Sequence, residues 1–314
     1  MSFHIITVQT HGSKLSVDRG LLICSAKDEA DKSVVLADVR AIICLTPKIA
    51  FTGEAISRIL EQGSLILHCN SNFKITGWSM SIDTVVRNEV FKNQISNDFN
   101  FNKNIWQKIL KGKVINQAKV LDCFLIEHNL YSLINSEKID ESNIARWYWE
   151  KYFSSLGHKI QREKRNAKHF FNKALNYGYG VLNGLVYRSI ILYGLCPNLG
   201  IHHKFRYRST PLVYDFMEVF RPFVDFLFFK WAQITLSNQL DDESWDDWLK
   251  FYMNSLRRMR IKISYKNKSF KLMDAIDEYV RTITKCYEDT NFNNLCFEKL
   301  WIPGLKDHYF NDED

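Results

Sequence analysis

The chain has 314 residues, of which 46% are hydrophobic, 14% aromatic and 25% charged, with only 5 Pro and 13 Gly. This excludes a low-complexity or fibrous chain and fits one large or two ordinary globular domains. Its net charge of +7 is uneven: residues 1–100 are neutral, 101–200 carry 15 basic against 7 acidic side chains, and 201–314 come to −1.

A positive excess concentrated in the middle third favours a polyanionic partner such as nucleic acid, although solvation of exposed helices accounts for it equally well. No N-terminal stretch has the basic, apolar, small-residue order of a secretory leader. The apolar run Phe220–Leu236 contains Arg221, Asp225 and Lys230 and reads as a buried helix. Seven Cys, no two closer than ten residues, exclude a CxxC zinc site and suggest no disulfide framework, which points to a reducing, cytoplasmic setting.

In chain order, HIITVQT, KLSVDRGLLICS, SVVLADVRAIICLT and SLILHCNSNFKITGWSM are short, β-branched and separated by turn residues, so residues 1–84 read as a strand-rich domain. One helix interrupts them, opened by Thr52-Gly53, with Ile56, Ile59 and Leu60 at helical spacing and Gly63 as its stop. Residues 85–100 read as a linker. From there VVRNEVFKNQI, which begins inside that linker, KNIWQKILKGKVINQAKVLDCF, IARWYWEKYFSSLG, FNKALNYGYGVLNGLVYRSIILYG, LVYDFMEVFRPFVDFLFFKWAQITL and WDDWLKFYMNSLRRMRI space their apolar residues by three and four. The expected fold class is therefore α+β, with an N-terminal β domain followed by a larger, all-α C-terminal domain over 101–314. Five acids within Asp241–Asp247 suit a helix N-terminus. The acid-free run containing Arg257, Arg258, Arg260, Lys262, Lys266, Lys268 and Lys271 is either a phosphate-contacting face or a basic loop.

No phosphate loop, GxGxxG, HExxH or GxSxG is present, which removes support for nucleotide hydrolysis, dinucleotide chemistry and a zincin mechanism. The remaining concentration of chemistry surrounds His202-His203, after the Pro197–Gly200 loop. Lys204, Arg206 and Arg208 follow, and then a helix placing Asp215 and Glu218 on one face. Histidine with two carboxylates suits a divalent ion such as Mn²⁺ or Mg²⁺, although such acidic pairs are more often solvated.

Five segments, in order, carry a resemblance. Glu141-Ser142-Asn143-Ile144-Ala145-Arg146-Trp147-Tyr148-Trp149 resembles the E-x-x-x-A-R-x-Y-[FW] signature of the CRISPR-associated Cas1 integrase family. LNYGYGVL at 175–182, Leu199–His203, LVYDFMEVFRPFVD at 212–225 and KVINQAKVL at 113–121 resemble that family's other motifs. The family's D-P-x-N-A is replaced here by His169-Phe170-Phe171-Asn172-Lys173.

The resemblance implies a catalytic α-helical domain with Glu141, His203 and Glu218 as ligands of Mg²⁺ or Mn²⁺, and with His202 and Asp215 as secondary candidates. It implies a metal-dependent endonuclease and integrase that inserts captured DNA into the CRISPR repeat array by 3′-hydroxyl attack on a phosphodiester. A homodimer joined through the β domains, with Cas2 bridging two dimers, belongs to the same expectation. A noncatalytic DNA-binding scaffold, or a stand-alone or transposon-associated nuclease of the same fold, stand as alternatives. The expected DNA-backbone contacts are Arg146, Lys151, Arg162, Lys164, Arg165, Lys168, Lys204, Arg206 and Arg208; for Arg146 an ion pair that orients the Glu141 helix competes with this role. Trp147, Tyr148, Trp149 and Tyr177 read as core rather than base-stacking groups.

Overall fold

The computed structural model describes residues 4–27, 29–70, 75–82, 88–96, 99–134, 140–164, 167–204, 210–235, 244–263, 268–291 and 300–301. The chain divides into two compact units, Met1–Val85 and Val86–Asp314.

The first unit contains β1 (His4–Val8), β2 (Lys14–Asp18), β3 (Leu21–Ser25), β4 (Lys32–Val35), β5 (Val39–Cys44), β6 (Ala50–Phe51), α1 (Gly53–Glu61), β7 (Leu65–Cys69) and β8 (Ile75–Ser79). They form two four-stranded sheets, ordered β1-β5-β7-β8 and β4-β3-β2-β6. The β2–β3 hairpin turns on Arg19-Gly20, both at positive φ (45° and 79°), the two-residue geometry whose twist matches the flanking strands. β5 and β7 run parallel, which a tight turn cannot connect, and α1 supplies the crossover. Thr52 caps α1, its Oγ1 accepting from the Ala55 amide at 3.1 Å. Val8, Leu15, Val39, Ile42, Ala55, Ile59 and Ile66 share one buried cluster between the elements.

The second unit contains α2 (Asn88–Ser96), α3 (Phe99–Cys123), α4 (Leu130–Ile134), α5 (Glu141–Ser155), α6 (Phe170–Leu192), α7 (Pro211–Met217), α8 (Arg221–Thr235), α9 (Trp245–Arg258), β9 (Arg260–Ile263), β10 (Lys268–Lys271), α10 (Leu272–Asp289) and β11 (Leu300–Trp301). Four sequence expectations are corrected here. The C-terminal unit is mostly rather than wholly helical, because β10-β9-β11 form a small antiparallel sheet. Of the acid-free basic run, Arg257 and Arg258 end α9, Arg260, Lys262, Lys268 and Lys271 lie on paired strands rather than a loop, with Lys271 opposite Arg260, and Lys266 lies outside the described residues. Much of the expected linker is the helix α2, anchored by Asn93 Nδ2 on the Tyr287 carbonyl at 2.7 Å and by Gln94 on the backbone of Cys196. α10, which the sequence reading missed, buries Ile276, Tyr279, Val280 and Ile283 along one stripe. The fourth correction concerns the stretch read over 212–236, which through Thr235 is two helices interrupted at 218–220 rather than one.

α6 is the central element of this unit and buries residues on every side. Its start is capped by His169, whose Nδ1 accepts from the Phe171 amide at 3.2 Å; burial lowers the imidazole's pKa and favours the neutral, accepting form. Asn172 then clamps the preceding loop, taking hydrogen bonds from Arg162 and the Glu163 amide and donating to the Gln161 carbonyl at 2.8 Å. Asp225 on α8 is the polar knot of the core. Its carboxylate accepts from Tyr148 of α5 at 2.9 Å and from Tyr179 of α6, while its carbonyl accepts from Tyr152 at 2.7 Å. Burial pushes this carboxyl up to about 6, against the two tyrosine hydrogen bonds that hold it down. Tyr148 and Tyr177 are buried, as expected, whereas Trp147 and Trp149 are only half-buried.

α6 crosses α8 at Gly178, where a Cβ would lie 2.4 Å from Val224 Cγ1 and 3.4 Å from the Tyr252 ring. Alanine is the better helix former by about 1 kcal/mol, yet Gly178→Ala is expected to destabilise the protein by about 1–3 kcal/mol through overpacking. Chemical denaturation measures this, and adding Val224→Ala, which removes the clashing methyl, should recover part of the loss.

Candidate active site

The break between α7 and α8 creates the site. Pro222, with its fixed φ and missing N–H, is well placed at the second position of α8, and the chain turns through Glu218, Val219 and Phe220 before it. Asn116 on α3 holds this turn, its Nδ2 donating to the Val219 carbonyl at 3.0 Å. Glu218 is thereby fixed with its side chain only 5% exposed.

Two cations divide its carboxylate. Arg221 Nε lies 3.0 Å from Oε1, and Lys113 Nζ lies 2.6 Å from Oε2. Burial alone would raise this carboxyl, but Arg221 and Lys113 outweigh it and hold Glu218 down at about 2. Lys113, itself 10% exposed, also donates to Glu141 Oε1 at 2.8 Å. Burial disfavours its charge, while Glu218 and Glu141 restore it, so the ammonium pKa ends above the ordinary lysine value. Glu141 is the first residue of α5, which Asp140 caps by accepting from the Asn143 amide at 3.1 Å. Its side chain is 34% exposed, so it forms the open wall of the cluster.

Asp215 serves the histidine loop. Its fully buried carboxylate accepts from the amides of Ile201 (2.6 Å), His202 (3.1 Å) and His203 (3.1 Å), and pairs with His203 Nδ1 at 2.6 Å. The loop approaches this closely because residue 200 is Gly: a Cβ there would meet the His203 carbonyl at 2.2 Å and Pro211 at 2.7 Å. With Nδ1 bound to the carboxylate, the imidazole is held in the tautomer that leaves Nε2 as the acceptor. The Asp215 hydrogen bond raises the His203 pKa above 6.5, partly offset by burial. His202 faces elsewhere, its ring stacked on Trp106 of α3 at 4.2 Å and 3°.

Of the five expected ligands, Glu141 and Glu218 meet at Lys113, and His203 lies close enough to Glu218 for their charges to interact. Asp215 is occupied by N–H donors and His202 by a ring face. No three His, Cys, Asp or Glu side chains among the described residues form a ready-made ion cluster, and the two glutamates share a lysine instead. Sequence reasoning missed Lys113 and Asn116, although both lie in the KVINQ segment that carried the resemblance. The available signal was a lysine at a position that the packing of α3 buries.

The expected DNA contacts separate. Arg146, Lys151, Lys164, Lys168 and Lys204 are exposed. Arg162 is turned inward, donating to Asn172 and Asn176 at 3.1 and 2.7 Å and lying over the rings of Trp149 and Tyr179, each 5.3 Å away. It holds α6 to the preceding loop and is not presented to a phosphate. Arg165, Arg206 and Arg208 lie outside the described residues. Among the described residues no helix is long and apolar enough to cross a membrane.

Comparison with known proteins gives the same reading of the chain. A CRISPR-associated endonuclease Cas1 from Neisseria meningitidis is 28% identical over 317 residues, covering 99% of this chain and 100% of that protein. A second, from Saccharolobus solfataricus, is 26% identical over 72% of this chain and 75% of its own length. Among solved structures, a casposase bound to integration product superposes with a TM-score of 0.80 at 18% identity, covering 99% of this chain and 97% of that one. A Cas1 protein from Thermotoga maritima gives 0.74 at 17% identity, covering 93% of this chain and all of the other. The family model for CRISPR-associated protein Cas1 matches residues 6–261, and the chain belongs to that family.

Proposed function

We propose that this Cas1 protein is a divalent-metal-dependent integrase and endonuclease of CRISPR adaptation, acting on DNA at the Glu141–His203–Glu218 site. The observation that carries the reading is the pair of carboxylates from two separate elements already gathered around one cation, the Lys113 ammonium. Hard carboxylate oxygens and a neutral imidazole nitrogen form a donor set suited to Mg²⁺ or Mn²⁺, the nitrogen favouring Mn²⁺. Glu141, Glu218 and His203 would hold the ion, which supplies Lewis acidity toward the scissile phosphate and the charge developing on the departing oxygen.

The remaining work belongs to the chain. Arg221 fixes the Glu218 carboxylate through Oε1 and so leaves Oε2 facing the site. Asp215 sets the tautomer and direction of His203. Lys204 beside the histidines, and Lys151, Lys164 and Lys168 on the exposed surface, supply positive charge for the DNA backbone without reading bases. In the reaction a 3′-hydroxyl oxygen of the incoming DNA bonds to phosphorus of the repeat strand. The old P–O3′ bond breaks, and a proton passes to the freed 3′ oxygen. One diester is exchanged for another, so no nucleotide is consumed; with water in place of the hydroxyl the same geometry cleaves DNA. Part of one chain in a Cas6-RT-Cas1–Cas2 complex superposes on 96% of this chain with a TM-score of 0.70, 36% of that chain being covered. Partnership with Cas2, and a homodimer built through the β domains, follow as part of the proposal.

Glu218→Gln and Glu141→Gln are each expected to lower joining and cutting of labelled DNA in Mn²⁺ by about 10²-fold or more, by analogy with the loss of other preorganised charged groups, with DNA binding retained. Joining at the wild-type rate in both variants would overturn the assignment. DNA binding by the wild type with neither joining nor cutting would instead make the protein a scaffold.

The pH dependence has a defined sign. Since Asp215 raises the His203 pKa, protonation of that imidazole stabilises the fold fully below about 6.5, and the contribution is lost as pH rises through the higher folded value. Ion binding has the opposite sense, because protonation removes the Nε2 lone pair. Mn²⁺ affinity should therefore weaken as pH falls from about 7.5 toward 6, beginning above the ordinary histidine value. Asp215→Asn should move the midpoint downward. Calorimetric titration across this range tests it, and a flat profile would remove His203 from the ligand set.

A further inference from the structure

We infer that Lys113 is an internal placeholder cation, one that keeps the two glutamates paired while the site is empty and competes with the divalent ion for them. The inference rests on the metal-site reading above and adds to it a residue that regulates loading.

The argument begins with charge. Glu141, Glu218, Lys113 and Arg221 carry two negative and two positive charges, and their contacts of 2.8, 2.6 and 3.0 Å make them one interacting group. Glu218 is almost fully buried, and Glu141, 34% exposed, stands at its open side. Without a cation between them the two carboxylates would repel each other, the more strongly because Glu218 is shielded from water. Something positive must therefore occupy that position if the site is to be assembled before an ion arrives.

The two basic residues are not equivalent in this role. Arg221 lies three residues beyond Glu218 on the same turn and start of helix, and its planar guanidinium also packs over the Tyr179 ring at 5.1 Å. It is tied to its own turn and to that ring, with Nε 3.0 Å from Oε1. Lys113 approaches from α3, a different element from those bearing the glutamates, and touches the oxygens Glu218 Oε2 and Glu141 Oε1. A lysine is a compact point charge on a flexible four-carbon stem, able to leave without disturbing its helix.

Adding a divalent ion to the balanced group produces an excess of two positive charges concentrated at the shared carboxylates. The ion and the ammonium repel each other and cannot both sit between the same oxygens. Lys113 must swing aside for the ion to bind, and the energy of its two ion pairs is subtracted from the ion's apparent affinity. The lysine therefore stabilises the empty site and weakens the loaded one. A purely structural lysine would stabilise both.

This difference is measurable. Lys113→Met keeps the length of the side chain and removes its charge. In EDTA the variant should melt below the wild type, because two carboxylates lose their partner. Its affinity for Mn²⁺ alone, measured by isothermal titration and by electron paramagnetic resonance of free Mn²⁺, should rise by roughly tenfold or more, and saturating Mn²⁺ should close much of the gap in melting temperature. Lys113→Gln, which retains two N–H donors for the glutamates, should be milder in EDTA and shift affinity in the same direction; it carries the test if the Met variant does not fold. Unchanged or weaker Mn²⁺ binding in the folded variants overturns the placeholder role. Glu218→Gln separates the two levels of the claim. If the wild type binds Mn²⁺ and Glu218→Gln does not, the metal site stands whatever Lys113 does; if the wild type does not bind Mn²⁺ at all, the metal-site reading and this inference fall together.

Discussion

The second unit is organised around the need to bury Glu218. A carboxylate in that position is tolerable only if both its oxygens face positive charge, and the surrounding structure supplies that: Arg221 on one oxygen, Lys113 on the other. The break that places Glu218 outside regular helix is held by Asn116 on the Val219 carbonyl. Since Lys113 and Asn116 both belong to α3, one face of that helix fixes both the electrostatics and the backbone of the site. Glu141 is brought in through the same lysine, which gives the exposed carboxylate a defined place next to the buried one.

A second polar centre, Asp225, lies one step behind the site. It joins α5, α6 and α8 through three tyrosines, so the helix that begins with Glu141 and the helix that follows Glu218 are tied to the same side chain. Arg162 and Arg221 flank Tyr179 and complete this layer. Buried networks in which polar groups find partners, as the three tyrosine hydroxyls do on Asp225, favour a single arrangement of elements, and a site that requires groups from separate elements depends on such specification. The close α6–α8 crossing at Gly178 has the same consequence in apolar form.

The histidine loop works by a different device. Three backbone amides converge on Asp215, which lets a non-helical segment hold a fixed shape with little packing of its own. The same carboxylate then orients His203. In the sequence alone, two adjacent histidines and an acidic pair three residues apart are interchangeable candidates. The fold distinguishes them by where each side chain finds its partner: His203 on Asp215, His202 on the face of Trp106, and Glu218 on two cations.

The strand-rich beginning and the mostly helical remainder were legible in the sequence, because β-branched runs and three-and-four spacing are local properties, and an ordered set of motifs singled out Glu141, His203 and Glu218 as candidates. The substituted entry to α6 was visible too, and the structure accounts for it with a neutral histidine acting as the cap. What the chain could not disclose by itself were the features that depend on burial. Arg162 reads as a surface charge until aromatic rings and asparagines enclose it, and Lys113 reads as one more base in a positive third until α3 packs it between two glutamates. The sequence of 212–236 has an unbroken helical period although a new helix starts at Arg221, since periodicity records the faces that are buried and not the hydrogen bonds that are interrupted. A charge acquires its role from its neighbours' distance and from the loss of water around it, and only the tertiary structure sets those.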